Sequence, residues 1–133
     1  MTSSTSTVRT QDGIDVSVAG YQDGPTEAET AVLVCPGFFK SKETRTFKRL
    51  ALALLAPHRD VICMDFRGHG QSGGSYTFSA NEGADLSAVL EWLKPHYRRI
   101  GVIGFSLGGA VALNTVGRHR DCVRSVVAVS SEH

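Results

Sequence analysis

A chain of 133 residues, 41% hydrophobic and 20% charged, can close one sizeable core but not two. A net charge of +1 gives no electrostatic case for nucleic acid or an anionic membrane, and no apolar run reaches membrane-spanning length. The three cysteines, Cys35, Cys63 and Cys122, form an odd set without tight spacing. That argues against a disulfide framework or a zinc site and suits reduced thiols in a cytoplasmic protein.

Residues 1–7 are uncharged and read as a disordered tail, neither signal peptide nor anchor, with the folded unit over residues 8–133. Residues 8–21 predict a hairpin: Gln11-Asp12-Gly13 supplies the turn, and Ile14, Val16 and Val18 alternate with polar residues. The apolar run 31–35, ending at Pro36-Gly37, reads as a buried strand. Phe47, Leu50, Ala51, Leu54 and Leu55 recur at helical spacing up to Pro57. Residues 61–64 predict the next buried strand, and a Gly-rich loop follows over residues 67–74. Ser79 and Glu82 then form a capping-box signature before a helix whose apolar face is Leu86, Val89, Leu90 and Leu93. Ile100, Val102 and Ile103 mark a strand covered on both faces, a small-residue helix begins at Leu107, and residues 123–129 give a last Val-rich strand. A hairpin followed by alternating helices and strands predicts an α/β fold with a mostly parallel sheet.

Gly104-Phe105-Ser106-Leu107-Gly108 falls at the junction of a strand and a helix. G-x-S-x-G in that setting describes a sharp turn that lifts the serine out of the sheet, with glycines where a Cβ would collide. Ser106 is therefore the candidate nucleophile, held at a helix N-terminus that favours a developing anion. Acyl transfer also needs two backbone N–H groups aimed at the oxygen that becomes negative. One belongs to the residue after the nucleophile, Leu107. The other belongs to the loop after the 31–35 strand, where Phe38 is preferred over Phe39.

Gly68-His69-Gly70-Gln71-Ser72-Gly73 spells G-x-G-x-x-G after a strand, the dinucleotide-binding pattern. That fingerprint needs its last glycine to open a helix, and here residues 74–78 intervene. The acidic residue expected about 20 positions later would fall near Glu91, inside a helix instead of at a strand end. The spacing therefore counts against nucleotide binding, which stays a third reading that saturable binding of a labelled dinucleotide would reveal. His69 is a lesser candidate base, since a loop histidine beside glycines is more often structural.

Three motifs in order carry a family resemblance: Pro36-Gly37-Phe38-Phe39, Asp65-Phe66-Arg67-Gly68-His69-Gly70-Gln71-Ser72, and Gly104-Phe105-Ser106-Leu107-Gly108-Gly109. The chain resembles α/β-hydrolase-fold serine hydrolases of the lysophospholipase-like and serine-aminopeptidase-like esterase branch, over nearly its whole length from Val8. Many members have His where Pro36 stands, but the donor there is a backbone group. The resemblance implies an α/β-hydrolase-like fold ending after its sixth strand. It also implies hydrolysis of a small-molecule carboxylic ester, or a related acyl compound, through acyl-Ser106, with no metal or organic cofactor.

The family's triad order is Ser, then Asp or Glu, then His. In a minority of members the acid follows strand six, which makes Glu132 the candidate acid; His133 matches no triad position. The resemblance thus covers an N-terminal portion, expected to be nearly inactive by itself. Its 123–129 edge is expected to pair with a second copy or with the C-terminal half. The competing reading is a non-catalytic half-domain serving as an interaction module, or a degenerate remnant.

Overall fold

In the computed structural model, which describes residues 1–24, 28–37, 40–77 and 80–129, the β-branched and apolar runs assemble into one six-stranded sheet. β1 (Thr2–Arg9) and β2 (Asp15–Gln22) form the opening hairpin, paired from Thr2 opposite Gln22 to Arg9 opposite Asp15. Residues 2–7 are therefore strand and not the expected disordered tail. Their side chains are mostly exposed, but the backbone finds a full ladder of partners on β2, and Thr2, Thr5 and Thr7 are β-branched.

β3 (Thr30–Cys35), β4 (Arg59–Met64), β5 (Arg99–Phe105) and β6 (Val123–Val129) run parallel to one another, and β2 joins them antiparallel through β4. The order across the sheet is β1-β2-β4-β3-β5-β6. Helices α1 (Arg45–Leu54), α2 (Glu82–Leu93) and α3 (Leu107–Thr115) link the parallel strands, and a short 3-10 turn (Val116–His119) follows α3.

Alternation along the strands divides the apolar side chains between two layers. Leu33, Ile62, Met64, Ile100 and Val102 pack with Leu86, Val89, Leu90 and Leu93 of α2 and Val111 of α3. Val34, Val61 and Cys63 pack on the other face with Phe47 and Ala51 of α1, joined by Ile103 and Phe105. With helices on both faces, the parallel strands are covered as their unbroken apolar runs require. β6 is the exception: Val123 and Val126 pack against the core, while Val127 and Val129 are 53% and 37% exposed.

The start of α2 differs in detail from the capping-box expectation. Ser79 lies outside the described residues, and Asn81 takes the cap position. Glu82 does reach back, but to Thr77, whose N–H and hydroxyl donate to its carboxylate at 2.7 and 2.5 Å. Glu82 is fully buried and takes the donors that lie nearest. Among the described residues no helix is long and apolar enough to cross a membrane.

Candidate active site

From β3 the chain moves to β4 on one side of the sheet through α1, and afterwards to β5 on the other side through α2. The carboxyl ends of β3 and β5 are therefore neighbours whose following chains diverge. Such a reversal opens the crevice in which α/β sheets bind ligands.

Ser106 occupies that crevice, between the last residue of β5 and the first of α3, and its side chain is exposed. Its φ of +52° is the only positive value at a non-glycine position among the described residues. A conformation of that kind costs about 1–3 kcal/mol and persists only where the surroundings impose it. Here they do. The Ser106 N–H donates to the Val129 carbonyl at 2.8 Å, and its own carbonyl accepts the Ala110 N–H at 3.0 Å. A Cβ on Gly104 would be driven into the Gly108 carbonyl, and one on Gly108 into the Cys35 carbonyl. The two glycines allow α3 to sit close over β5 and the end of β3, which forces the turn between them.

The loop after β3 meets this turn directly. A Cβ on Gly37 would lie 3.0 Å from the Phe105 carbonyl oxygen and 3.3 Å from Ser106 Cβ. Gly37, Lys40, Thr44, Phe47, Phe105 and Ser106 line a cleft of about 320 Å³. Phe47 and Phe105 meet edge to face there, with ring centroids 5.2 Å apart. Leu107 is the first residue of α3, so no carbonyl of its own helix accepts its N–H. Phe38, Phe39, Glu132 and His133 lie outside the described residues.

Behind the cleft the Gly-rich loop is organised around Asp65, not around a phosphate. The Asp65 carboxylate accepts the Lys42 N–H at 2.6 Å, the Lys42 ammonium at 3.0 Å and the Gln71 N–H at 3.0 Å. A Cβ on Gly70 would enter that carboxylate, so this glycine makes room for an anion already supplied by the chain. The Gly68 N–H is taken by the Gly73 carbonyl and the Gly73 N–H by that of Asp15, and among the described residues the next helix opens at Glu82. These bonds spend the backbone groups that a pyrophosphate would need.

Arg67 holds a second buried cluster. It donates to Asp85 through Nε at 3.0 Å and Nη2 at 2.7 Å, and to Asp12 through Nη1 at 2.7 Å. The hydrogen bond from Arg67, and next that from the Thr10 hydroxyl, hold the Asp12 carboxyl well below its ordinary range. His69, the lesser candidate base, is buried in the same loop. Its Nδ1–H donates to the Arg67 carbonyl at 3.0 Å, and its ring meets Tyr76 edge-on.

The three cysteines are free and buried. Burial, helped by Cys63, pushes the Cys35 thiol far up; burial and then Asp65 push Cys63 up to about 12. Sequence reasoning missed Lys42. Ser41-Lys42-Glu43 reads as an ordinary polar loop, yet the Lys42 side chain is completely buried.

Residues 30–133 match the alpha/beta hydrolase fold family. Among curated relatives, the uncharacterized protein YqkD of Bacillus subtilis is 32% identical over 107 residues, covering 77% of this chain and 34% of its own length. An esterase of Pyrococcus furiosus superposes with a TM-score of 0.84 at 29% identity, covering 97% of this chain and 52% of that one. A serine hydrolase without a lid from Xanthomonas campestris superposes with a TM-score of 0.74 at 26% identity, covering 92% and 60%. The chain thus spans about a third of that curated relative and from 52% to 60% of those solved structures.

Proposed function

Because the chain belongs to the alpha/beta hydrolase family, we propose that it carries the nucleophile half of a serine esterase active site, with Ser106 as the nucleophile. The observation that carries this reading is the exposed serine at φ +52°, fixed between β5 and α3 and touching the loop after β3. Structural likeness to an esterase and to a serine hydrolase supports the same chemistry.

In this reading Ser106 Oγ attacks the carbonyl carbon of a small-molecule ester and loses its proton to a base. The N–H groups of Leu107 and Phe38 receive the resulting oxyanion. Expulsion of the alcohol leaves acyl-Ser106, which water then hydrolyses. Glu132 is the candidate acid, and the base is supplied from outside these 133 residues. The apolar side of the cleft, Phe47 and Phe105, suits the acyl group. The exposed Val127 and Val129 favour a partner along the outer edge of β6, either a further part of the same hydrolase domain or a second copy. Three free, buried thiols suit the cytoplasm.

The test is hydrolysis of p-nitrophenyl acetate by the chain and by Ser106→Ala. Without a base, catalysis of about 10³–10⁴ over water is expected from binding and oxyanion stabilisation. The Ser106→Ala variant should lose acyl-enzyme formation. Equal turnover by both proteins would remove Ser106 from the chemistry.

A further inference from the structure

We propose that Lys42 and Asp65 form a positioning device that fixes the described part of the loop between β3 and α1 against the turn that carries Ser106. The inference rests on Ser106 being the nucleophile. Its basis is a pair of charged side chains with no exposure at all, 3.0 Å apart, joining the loop after β4 to the loop after β3, which lines the cleft beside Ser106.

Asp65 follows β4 and is held from several directions. Its carbonyl accepts the Ser72 hydroxyl at 2.6 Å, and Ser72 in turn accepts the Ser17 N–H of β2 at 2.8 Å. The carboxylate is thus tied to the sheet. From there it grips Lys42 twice, through the backbone N–H at 2.6 Å and the ammonium at 3.0 Å. The Lys42 ammonium also donates to Gln71 Oε1 at 2.9 Å.

Short bonds carry this anchorage toward Ser106. The Lys40 N–H donates to the Gly37 carbonyl at 3.1 Å, and the Ser41 N–H to the Thr44 hydroxyl at 3.2 Å. Gly37 then faces the Ser106 turn so closely that an added Cβ would come within 3.3 Å of Ser106 Cβ. The described ends of this loop, Gly37 and Lys40 to Lys42, are therefore held at the Ser106 turn on one side and at Asp65 on the other.

Stability alone does not account for the pair. Burying two charges carries a desolvation cost that their attraction barely repays, and apolar residues of similar volume often serve stability better. What a doubly held carboxylate gives is one geometry. Displacing a reacting group by about 1 Å can cost about 100-fold in rate, so geometry here bears directly on Ser106. Lys42 touches no reacting atom; it is a positioning residue.

The experiment follows phosphonylation of Ser106 by an alkyl fluorophosphonate, in which the Oγ–P bond forms, the P–F bond breaks, fluoride leaves and the serine proton goes to solvent. Its kinetics are separated into a maximal rate and an apparent affinity. Lys42→Met should lower the maximal rate about 100-fold with the affinity unchanged. Asp12→Asn, which weakens the neighbouring Arg67 cluster, should lower stability and leave both constants as in the parent. In parallel, hydrogen exchange at the Lys40 and Ser41 amides should quicken in Lys42→Met and not in Asp12→Asn. Parental phosphonylation in Lys42→Met, or a loss shared equally by Asp12→Asn, overturns the positioning role while Ser106 keeps its own. If the parent protein is not phosphonylated at Ser106, the nucleophile reading fails. The exchange arm then still decides whether Lys42 orders the loop, and unchanged protection at Lys40 and Ser41 overturns it.

Discussion

The two ends of the parallel strands are built from different chemistry. At the amino ends, Asp60 accepts the Tyr97 hydroxyl at 2.7 Å, and the ion pairs Arg98–Glu29, Arg99–Glu29 and Lys94–Asp121 lie at the surface. At the carboxyl ends, Lys42–Asp65 and Arg67–Asp85 are buried, and Ser106, the one non-glycine residue at positive φ among the described residues, follows the end of β5. Surface pairs contribute about 0–1 kcal/mol and are forgiving of movement. Buried pairs add little net stability but are intolerant of it. The carboxyl end is thus where this fold accepts strain and desolvation in return for fixed geometry, as an active site requires.

The sharpest break of that asymmetry should come from the elbow itself. In Gly108→Val the new side chain meets the carbonyls of Cys35 and Pro36, neither of which can retreat. A loss of about 4 kcal/mol or more is expected, read as a collapse of the urea midpoint. Gly117, with nothing within 4 Å of its would-be Cβ, should accept alanine within about 0.5 kcal/mol.

Thiol chemistry probes the cover over the strands. A thiol pushed up to about 12 is almost wholly protonated at pH 8, so Cys63 should alkylate about a thousandfold more slowly than an exposed cysteine. Cys35 should be slower still. Mass spectrometry after brief iodoacetamide treatment of the native protein reads both, and rapid modification of either would mean the sheet is not covered there.

Removing one partner from each end of the sheet compares them directly. Asp85→Ala leaves the Arg67 guanidinium buried beside a single acceptor residue and should cost about 3 kcal/mol. Glu29→Ala removes a surface partner of Arg98 and Arg99 and should cost less than about 1 kcal/mol. Equal costs in chemical denaturation would erase the distinction.

The smallest effect concerns acid. Asp12 has a folded pKa below its unfolded value of 3.8, through Arg67 first and Thr10 second. A depressed carboxylate contributes stability that is fully present above its unfolded pKa and is lost as pH falls toward the folded one. Stability measured from pH 5 downward should therefore fall less steeply in Asp12→Asn than in the parent. An unchanged slope would mean Asp12 is not held by Arg67.

Much of this was legible in the sequence because it depends on local pattern. The strand at 123–129, the buried face of α2 and the G-x-S-x-G turn all follow from periodicity and from glycines at fixed offsets. Other features were hidden because they depend on contacts distant in sequence. β1 extends to Thr2 only because β2 offers backbone partners, and no hydrophobic signal marks residues 2–5. Lys42 looks solvated until Asp65, more than 20 residues away, is folded against it. Glu82 announces a cap, but only the folded loop makes Thr77 its donor.

The central claim is that the carboxyl end of the sheet is organised around a nucleophilic Ser106, and peptide mapping after reaction with a fluorophosphonate tests it most directly. Ser106→Gly is the proper control, since glycine accepts the +52° backbone without strain. The expected result is slow modification at one position, Ser106, and no adduct in Ser106→Gly. An adduct elsewhere in the parent, or the same labelling in both proteins, would contradict the claim.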